Sequence, residues 1–332
     1  MKIAVVILNW NGQKLLEKFL PGIVQESPID YSEIYVADNA STDDSISYIK
    51  QNFSNVNIIQ NTQNWGFAKG YNKALTQIDA EIYALVNSDI EVTKDWLEPI
   101  YKHFKTHSNT AIIQPKILDY KRKTQFEYAG AAGGFVDQLG YPFCRGRIFN
   151  TLEEDKGQYN DTYPIFWASG ACLFIRSEVY HELDGLDEDY EAHQEEIDLC
   201  WRAFNKGYKS EYVGASIVYH VGGATLDNAH WKKTFLNFRN SLFNIVKNVP
   251  GNIYTWYIFK RLVLDGLTGI KFLVEGKPVH TLAIIRAHFS FYKYFLKMRS
   301  KRKRLNPIRK DYYKTKSIVW NYFIKKQTKF RY

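Results

Sequence analysis

Residues 3–8 read Ile-Ala-Val-Val-Ile-Leu, and Asn9, Trp10, Asn11 and Gly12 follow them. Six successive apolar residues, several of them β-branched, are typical of a parallel strand that is buried on both faces. The Asn-Gly pair favours a turn, so the strand is predicted to end here. Polar side chains therefore come directly after a buried strand.

The same arrangement recurs along the first ninety residues. Strands are predicted at 33–37, 56–60 and 82–87, and helices at 14–25, about 41–52 and 66–78. Strand–helix–strand units at this spacing need right-handed crossovers and a parallel sheet covered by helices. The sequence thus predicts an α/β fold with a Rossmann-like, mostly parallel sheet flanked by helices.

Composition places the chain among folded globular proteins. Hydrophobic residues make up 45% of the 332 residues and charged residues 24%, which excludes general disorder. Three scattered cysteines (Cys144, Cys172 and Cys200) are too few for a disulfide framework or a cysteine zinc site. The first apolar run is too short for a secretory signal, and charges interrupt every long apolar stretch. We expect a cytoplasmic protein that does not span a membrane.

Charge is distributed unevenly. The formal net charge is +9, yet residues 293–332 hold fifteen Lys or Arg against one acidic residue, Asp311. The rest of the chain therefore carries −5, so the basic character belongs to the C-terminal segment.

Polar clusters follow three of the predicted strands, at residues 9–11, 38–39 and 87–89. In open α/β sheets, ligands bind at the carboxyl ends of the strands, so these clusters predict a site at one edge of the sheet. The alternative is that they are only turn-forming Asn and Asp residues.

The second half of the chain adds acids and a histidine. An acidic cluster around Glu195, Glu196 and Asp198 lies at a predicted helix, and His220 ends a predicted strand at 216–220. Asp198 is predicted to pair with Arg202 four residues on, or to be solvated. There is no phosphate-binding P-loop and no Gly-x-Ser-x-Gly elbow. Carboxylates at strand ends with a spare acid suit a divalent cation that handles a diphosphate, with a general base beside it.

Five motifs together resemble glycosyltransferase family 2, and most closely its bacterial rhamnosyltransferase-like branch. They are Val5–Gly12 (VVILNWNG), Val36–Asp43 (VADNASTD), Asn64–Asn72 (NWGFAKGYN), Asn87–Asp89 (NSD) and Glu195–Arg202 (EEIDLCWR). The resemblance covers about residues 1–245. It implies a GT-A fold, a nucleotide-diphosphate sugar donor, a Mn²⁺ or Mg²⁺ ion and inversion at the anomeric carbon.

The resemblance also implies roles by position. Residues expected at the nucleotide sugar are Asn9, Trp10, Asp38, Asn39, Gly66, Gly70, Asn72, Asn87 and Ser88. Asp89 and His220 are the expected metal ligands, although His220 at a strand end is open to a structural reading. The catalytic base is expected at Glu196, with Glu195 as the second candidate, and the acceptor is expected at Trp167, Ser169 and Gly170, with Trp167 also open to a core position. Two residues depart from the family pattern: Asn87 stands where the metal motif has its first Asp, and Glu196 stands where the base is usually Asp.

The implied organisation is a GT-A domain at 1–245, with a nucleotide-binding half at 1–110 and an acceptor-binding half at 111–245. A basic, aromatic-rich helical extension follows at 246–332. We expect this extension to attach to the inner face of the cytoplasmic membrane, since Lys, Arg and aromatic side chains favour anionic lipid surfaces. A solvated tail or an oligomer contact is the alternative.

The function expected from these features is transfer of rhamnose from dTDP-rhamnose, or of a hexose from a UDP-sugar, to a saccharide or lipid-linked saccharide in cell-surface polysaccharide synthesis. Three other classes remain as alternatives. A nucleotidyltransferase would need a Gly-rich basic loop after the first strand, which is absent. A non-catalytic nucleotide-sugar-binding protein would bind a donor without turnover. Nucleic-acid binding through the tail lacks a recognised binding fold.

Overall fold

The computed structural model describes residues 1–222 and 230–331. The strands in this part of the chain are β1 (Ile3–Asn9), β2 (Ser32–Asp38), β3 (Val56–Gln60), β4 (Ile82–Asn87), β5 (Ile90–Val92), β6 (Thr110–Asp119), β7 (Gly134–Val136), β8 (Pro142–Cys144), β9 (Arg147–Ile148), β10 (Thr151–Leu152), β11 (Thr162–Ile165), β12 (Cys172–Arg176) and β13 (Lys209–His220). The α-helices are α1 (Gln13–Gln25), α2 (Ser45–Asn52), α3 (Gly66–Leu75), α4 (Leu97–Thr106), α5 (Ser177–Glu182), α6 (Glu195–Asn205), α7 (Trp231–Asn248), α8 (Tyr254–Val274), α9 (Pro278–Leu305) and α10 (Ile318–Phe323).

Within the described residues, nine strands form one sheet. Their order is β11-β13-β6-β12-β4-β1-β2-β3, and β5 pairs with β13. The pairs β1–β2, β1–β4, β2–β3 and β6–β13 are parallel. β12 runs antiparallel between β4 and β6. β11 and β5 also pair antiparallel with β13. The predicted α/β fold is therefore confirmed, with a sheet in which four pairs are parallel and four are antiparallel.

Alternate residues of β1 enter two separate apolar cores. Ala4 and Val6 belong to one cluster, and Val5 and Ile7 belong to the other. Because successive side chains of a strand point to opposite faces, the sheet is buried on both faces, as the unbroken apolar run indicates.

Two regions depart from the predicted elements. α2 begins at Ser45 rather than near residue 41, because the Asp43 carboxylate accepts hydrogen bonds from the backbone of Ser45 and of Gln13. Residues 134–152, for which the sequence predicts no strand, form a second, antiparallel sheet in the order β10-β9-β8-β7. Its strands have two or three residues each, which is too short for an alternating pattern to be visible.

Three long helices and a packed terminal segment complete the chain. α7 continues past residue 245, so the predicted boundary falls inside a helix. α9 ends at Leu305, where Asn306 is left-handed (φ 44°) and Pro307 follows. The expectation of a wholly helical extension is therefore wrong for residues 306–317. Among the helices described, none combines the length and the hydropathy that a bilayer span requires.

Candidate active site

The carboxyl ends of β1 and β2 are joined by a buried hydrogen-bond network. Asn9 Nδ2 donates to Asp38 Oδ1 at 2.9 Å and to Ser41 Oγ at 3.2 Å. The Asp38 carboxylate also accepts from the N–H and the hydroxyl of Ser41. Asn9 and Asp38 are each 1% exposed, and Asn9 Oδ1 has no partner among the described residues. A buried acceptor of this kind needs a donor group, so this strand end is suited to a ligand.

Asn39 connects this network to the start of α3. Its Nδ2 donates to Gly66 O at 2.9 Å, and its Oδ1 accepts from Asn61 Nδ2 at 2.9 Å. A Cβ on Gly70 would lie 2.8 Å from Asn39 Nδ2, so glycine is what permits this close approach. Gly66 has a φ of +73°, which glycine adopts without strain. Three residues predicted at the nucleotide thus lie together.

The other residues predicted at the nucleotide have different surroundings. Trp10 is 56% exposed directly after β1. Asn87 and Ser88 are partly exposed after β4, the strand beside β1. The Asn72 amide is committed to the chain, because its Oδ1 accepts from Tyr180 OH and its Nδ2 donates to Leu186 O. Asn72 therefore holds the segment before α6 and offers the nucleotide no free amide.

The predicted metal residues lie against each other at the end of β13. His220 Nε2 is 3.2 Å from Asp89 Oδ1, and both side chains are buried. Glu127, which the sequence did not single out, lies on the other side of the ring, with Oε1 at 3.3 Å from His220 Nδ1 in ion-pair contact without hydrogen-bond alignment. Burial disfavours the charged ring, but the close contacts and charges of Asp89 and Glu127 outweigh it and raise the pKa of His220 to about 10.

This group fits a divalent cation that binds together with a diphosphate. Within residues 1–222 and 230–331, no three acidic, His or Cys side chains are arranged to enclose an ion by themselves. Mg²⁺ and Mn²⁺ sites in enzymes of this chemistry commonly use one or two protein ligands and complete their coordination with substrate phosphates and water. Asp89 and the Nε2 atom of His220 could supply two such ligands. Glu127 is placed to hold the Nδ1 proton, the arrangement that orients metal-binding imidazoles.

The two candidate base residues open α6. Glu195 is buried and Glu196 is partly exposed, and the Oε2 atom of each has no partner among the described residues. Burial raises the pKa of Glu196 to about 7, although backbone hydrogen bonds oppose the shift. Burial, together with the charge of Glu196, raises the pKa of Glu195 well above its usual value. Near neutral pH, Glu196 is the carboxylate of the pair that can accept a proton.

A continuous path of contacts connects the metal residues with the candidate base. The N–H of Asn87 donates to Ala171 O at 3.0 Å, because β12 pairs with β4. A Cβ on Gly170 would lie 3.7 Å from Glu196 Cβ and 3.5 Å from the Phe67 ring of α3. The region between the metal residues and the candidate base is therefore bordered by Asn87, Gly170 and Glu196.

The buried thiol of Cys144 gives an independent indication that the predicted metal residues and the candidate base are near each other. Burial is the main reason that the pKa of this thiol is raised, and the charges of Glu127 and Glu196 both add to the effect. The carboxylate beside His220 and the candidate base therefore lie within electrostatic range of the same sulfur atom.

Of the residues predicted at the acceptor, Gly170 alone borders this region. The Trp167 ring is 2% exposed, and its Nε1 donates to Phe135 O at 2.9 Å. It therefore packs in the core and offers no open face to a sugar. Ser169 is also buried, where its N–H donates to Gln114 Oε1 and its hydroxyl accepts from the Ala171 N–H.

A polar face of α7 holds the loop that leads into α6. Asn240 Nδ2 donates to the carbonyls of Tyr190, Ala192 and His193, and Arg239 pairs with Glu191 at 2.7 Å. This loop includes three non-glycine residues with positive φ angles: Glu191, His193 and Gln194. Such backbone persists only where the surroundings fix it. Local sequence around the loop does not reveal this support, because α7 lies far along the chain.

An ion network connects the same loop to the extension. Lys247 of α7 lies 2.5 Å from Asp187 and 2.7 Å from Asp198, and Lys301 of α9 also pairs with Asp187. Asp198 accepts from Arg202 Nε at 2.7 Å, which confirms the predicted pair, with both partners buried.

Curated proteins of two organisms resemble the chain along most of its length. A Mycobacterium tuberculosis protein described as N-acetylglucosaminyl-diphospho-decaprenol L-rhamnosyltransferase is 24% identical over 259 residues, which are 70% of this chain and 83% of that protein. The low-salt glycan biosynthesis hexosyltransferase Agl10 of Haloferax volcanii is 21% identical over 289 residues, 83% of this chain and 86% of the relative.

Solved structures share the fold. GalNAc-T7, solved with UDP, GalNAc and Mn²⁺, has a TM-score of 0.64 at 15% identity, and the match covers 98% of this chain and 57% of that one. Residues 1–349 of Staphylococcus aureus TarS have a TM-score of 0.56 at 15% identity, with 92% of this chain and 90% of TarS covered. The predicted GT-A fold is therefore confirmed.

The family model described as glycosyl transferase family 2 matches residues 4–184, which is more than half of the chain. This range includes the network at Asn9 and Asp38, the strand end at Asp89 and the loop at Gly170. The chain therefore belongs to glycosyl transferase family 2.

Proposed function

We propose that this glycosyltransferase is an inverting, divalent-metal-dependent enzyme that moves a sugar from a nucleotide-diphosphate donor to a saccharide or lipid-linked saccharide. One observation carries the proposal: Asp89 and His220 are connected to Glu196 through the contacts of Asn87 with Ala171 and of Gly170 with Glu196. A single displacement requires a cation site for the leaving diphosphate and a base for the acceptor hydroxyl, on two sides of the same region.

In the proposed reaction, an acceptor hydroxyl attacks the anomeric carbon while the bond from that carbon to the diphosphate oxygen breaks. Glu196 takes the hydroxyl proton, so the nucleophile gains strength as the new glycosidic bond forms. Attack from the face opposite the leaving diphosphate inverts the anomeric configuration. Glu195 precedes Glu196 in α6 and is the second candidate for the base.

Asp89 and His220 Nε2 would hold Mn²⁺ or Mg²⁺ at the diphosphate, and Glu127 would fix the imidazole through its Nδ1 proton. When bound, the cation neutralises negative charge on the leaving group. Asn87 contributes no charge where the family has an acid, so we expect weak cation binding without the nucleotide.

The donor we propose is dTDP-rhamnose first and a UDP-sugar second. The Asp38 Oδ2 atom accepts one hydrogen bond from the described chain, from Ser41, and has a lone pair left for the N3–H of a thymine or uracil ring. Trp10, which follows β1 directly, has an exposed ring. The Mycobacterium tuberculosis relative is described as a rhamnosyltransferase, and GalNAc-T7 was solved with UDP, which supports both choices.

The acceptor we propose is a saccharide carried on a lipid, used in cell-surface polysaccharide synthesis at the inner face of the cytoplasmic membrane. The name of the Mycobacterium tuberculosis relative describes a diphospho-decaprenol acceptor, which supports this class. Such an acceptor would require the active site to work close to a lipid surface.

A panel of nucleotide sugars tests the proposal. Thermal stabilisation by dTDP-rhamnose or a UDP-sugar, increased by Mn²⁺, is expected to accompany sugar transfer to a lipid-linked acceptor. The anomeric configuration of the product, measured by NMR, is expected to be inverted. Donor binding without turnover in the presence of Mn²⁺ and acceptors would favour the non-catalytic alternative, and a retained configuration would contradict the single displacement.

A further inference from the structure

The helices α8 and α9 form a hairpin whose outer side is apolar. On α8 the exposed side chains recur at helical spacing on the side opposite buried Arg261 and Asp265. They are Trp256, Phe259, Val263, Leu267, Ile270 and Val274. On α9 a second stripe lies opposite buried Ala287 and Phe291. It consists of Leu282, Ile285, Phe289, Tyr292 and Leu296.

Both stripes face away from the rest of the protein. The two helices pack on each other, as Thr281 Oγ1 donates to Gly269 O and His288 contacts Asp265. Their buried sides also reach α7, because Arg261 donates to Ser241 Oγ and Phe291 lies against Phe243. The stripes are therefore on the outer side of one hairpin.

The exposed area is larger than a soluble surface usually carries. The eleven side chains are exposed by 46% to 85%, with Phe289 at 72% and Leu296 at 74%. At about 200 Å² for a large side chain, they leave an apolar surface on the order of 1,000 Å². The largest apolar patch of a typical monomer is about 300–600 Å², so this surface indicates an interaction site.

Basic side chains lie beside the apolar stripe. At 100° per residue, Arg286, Lys293 and Lys297 follow one edge of the α9 stripe, and no acidic residue occurs between Pro278 and Leu305. In the described part of the chain, Lys293, Arg299, Lys303 and Arg304 have no carboxylate partner. This absence contrasts with Lys297 and Lys301, which are both paired with Asp189. An apolar face with a basic edge that is unpaired at Lys293 matches the interfacial and headgroup layers of an anionic bilayer.

The chain's own terminal segment does not cover this face. Tyr312 packs on Trp201 at 4.8 Å between ring centroids, and the Ile318 N–H donates to Asp137. A second copy of the chain is disfavoured by charge, because a two-fold contact would bring the same basic edge against itself without acids.

We infer that the outer side of the α8–α9 hairpin, with its basic edge, is a docking surface for an anionic lipid bilayer, into whose interface the apolar side chains insert. This places the contact on the hairpin, not on the terminal basic segment. The other side of α7 holds the loop before Glu196, so α7 lies between the hairpin and the loop that supports the candidate base, and Lys297 of the basic edge pairs with Asp189 of that loop. That a lipid-linked acceptor is used there rests on the proposed function.

Co-sedimentation of the full-length protein with vesicles tests the inference. We expect binding to vesicles of phosphatidylcholine with phosphatidylglycerol, weaker binding to phosphatidylcholine alone, and partial weakening at high salt. Phe289→Ser/Leu296→Ser is expected to reduce binding at least about tenfold, because two apolar side chains no longer enter the interface. The matched control is Ile29→Ser/Ile324→Ser, which alters apolar residues of similar exposure elsewhere and should bind as the wild type does.

Quenching by lipids with brominated acyl chains supplies a positional readout. Wild-type fluorescence is expected to be quenched on vesicle binding, and Trp256→Phe should lose much of that quenching while it still co-sediments. Absence of co-sedimentation at low salt, or equal binding by the two double variants, would overturn the inference. So would a dimer in analytical ultracentrifugation that Phe289→Ser/Leu296→Ser dissociates. Sugar transfer to a soluble acceptor, measured without vesicles, reports on the proposed function separately.

Discussion

A single carboxylate, Glu196, has the surroundings that a general base needs. It lies beside Gly170 at the start of α6, its Oε2 has no partner in the described chain, and burial raises its pKa to about 7. A base whose pKa is near the working pH accepts protons efficiently and is still partly ionised.

Glu196→Gln is expected to lower kcat by about 10²–10⁴-fold, because the amide cannot accept the acceptor's proton. Donor affinity, measured by calorimetry, should stay close to that of the wild type, since Glu196 is proposed to act on the acceptor hydroxyl. Glu195→Gln is the matched control and should lose less activity. A larger loss from Glu195→Gln would transfer the role of base to Glu195.

The pH profile of kcat/KM gives a second readout of the same residue. Because the ionised carboxylate is the active form and its pKa is raised to about 7, activity is expected to fall as the pH drops below about 7. The wild-type rate should lose about tenfold per pH unit on this acidic limb. A rate that is constant from pH 7 to pH 5 would show that Glu196 is not the titrating base.

Glu127→Gln tests the support of His220. The amide carries no charge beside His220 Nδ1, so the ring is held less firmly and becomes a poorer metal ligand. We expect Mn²⁺ affinity in the presence of UDP, measured by electron paramagnetic resonance, to fall about 10–100-fold. Glu153→Gln, a change at an acid outside this cluster, should leave Mn²⁺ affinity unchanged. Equal Mn²⁺ affinity in Glu127→Gln and the wild type would assign Glu127 a purely structural role.

Among the elements, α7 connects the loop before α6 with the extension. Its Asn240 and Arg239 hold the loop before α6, and its Lys247 neutralises Asp187 and Asp198 in the interior. A buried cation between two carboxylates cannot be removed without leaving negative charge unpaired.

Lys247→Met is therefore expected to destabilise the fold by about 3 kcal/mol, at the lower end for a broken buried pair because Lys301 and Arg202 still face the acids. Thermal or urea unfolding measures this change. Lys50→Met, an exposed helical lysine without an ion pair in the described chain, is the matched control and should be nearly neutral. Equal stability of both variants would show that the network is not needed for folding.

The elements that the sequence predicts best are those with long local patterns. β1 and β4 show as continuous apolar runs, and their polar ends show as Asn9 and Asp89, so the sheet and its edge follow from local sequence. β9 and β10 have two residues each and leave no pattern. Glu127 and Asn72 take their roles from partners far along the chain, His220 and Leu186, and such pairs are set by tertiary packing that no local spacing reveals.

At the scale of the whole molecule, the terminal segment is part of the fold. Tyr312 is 4% exposed, packs on Trp201 and donates to Gln138 O at 2.7 Å. The aromatic side chains of the extension are expected from the sequence to face a membrane, and the position of Tyr312 in the core corrects that expectation for this residue. Composition alone shows that residues 293–332 are basic, but it cannot show which of their side chains are buried.

Tyr312→Ala is expected to destabilise the protein by about 3 kcal/mol, the loss typical of an aromatic side chain removed from a core. Tyr292→Ala, at 56% exposure on α9, is the matched control and should change stability little. Chemical unfolding followed by circular dichroism compares the two variants. A mild effect of Tyr312→Ala, equal to that of the control, would indicate that the segment is dispensable.

The paired acids that open α6 determine how charge changes during turnover. Since the pKa of Glu195 lies well above its ordinary value and that of Glu196 is about 7, the two groups together hold at most one negative charge near neutrality. In the proposed reaction, uptake of the acceptor's proton would bring this dyad to electrical neutrality. The departing nucleoside diphosphate would then meet no added repulsion from these two acids, and the dyad would return its proton to water before the next sugar is transferred.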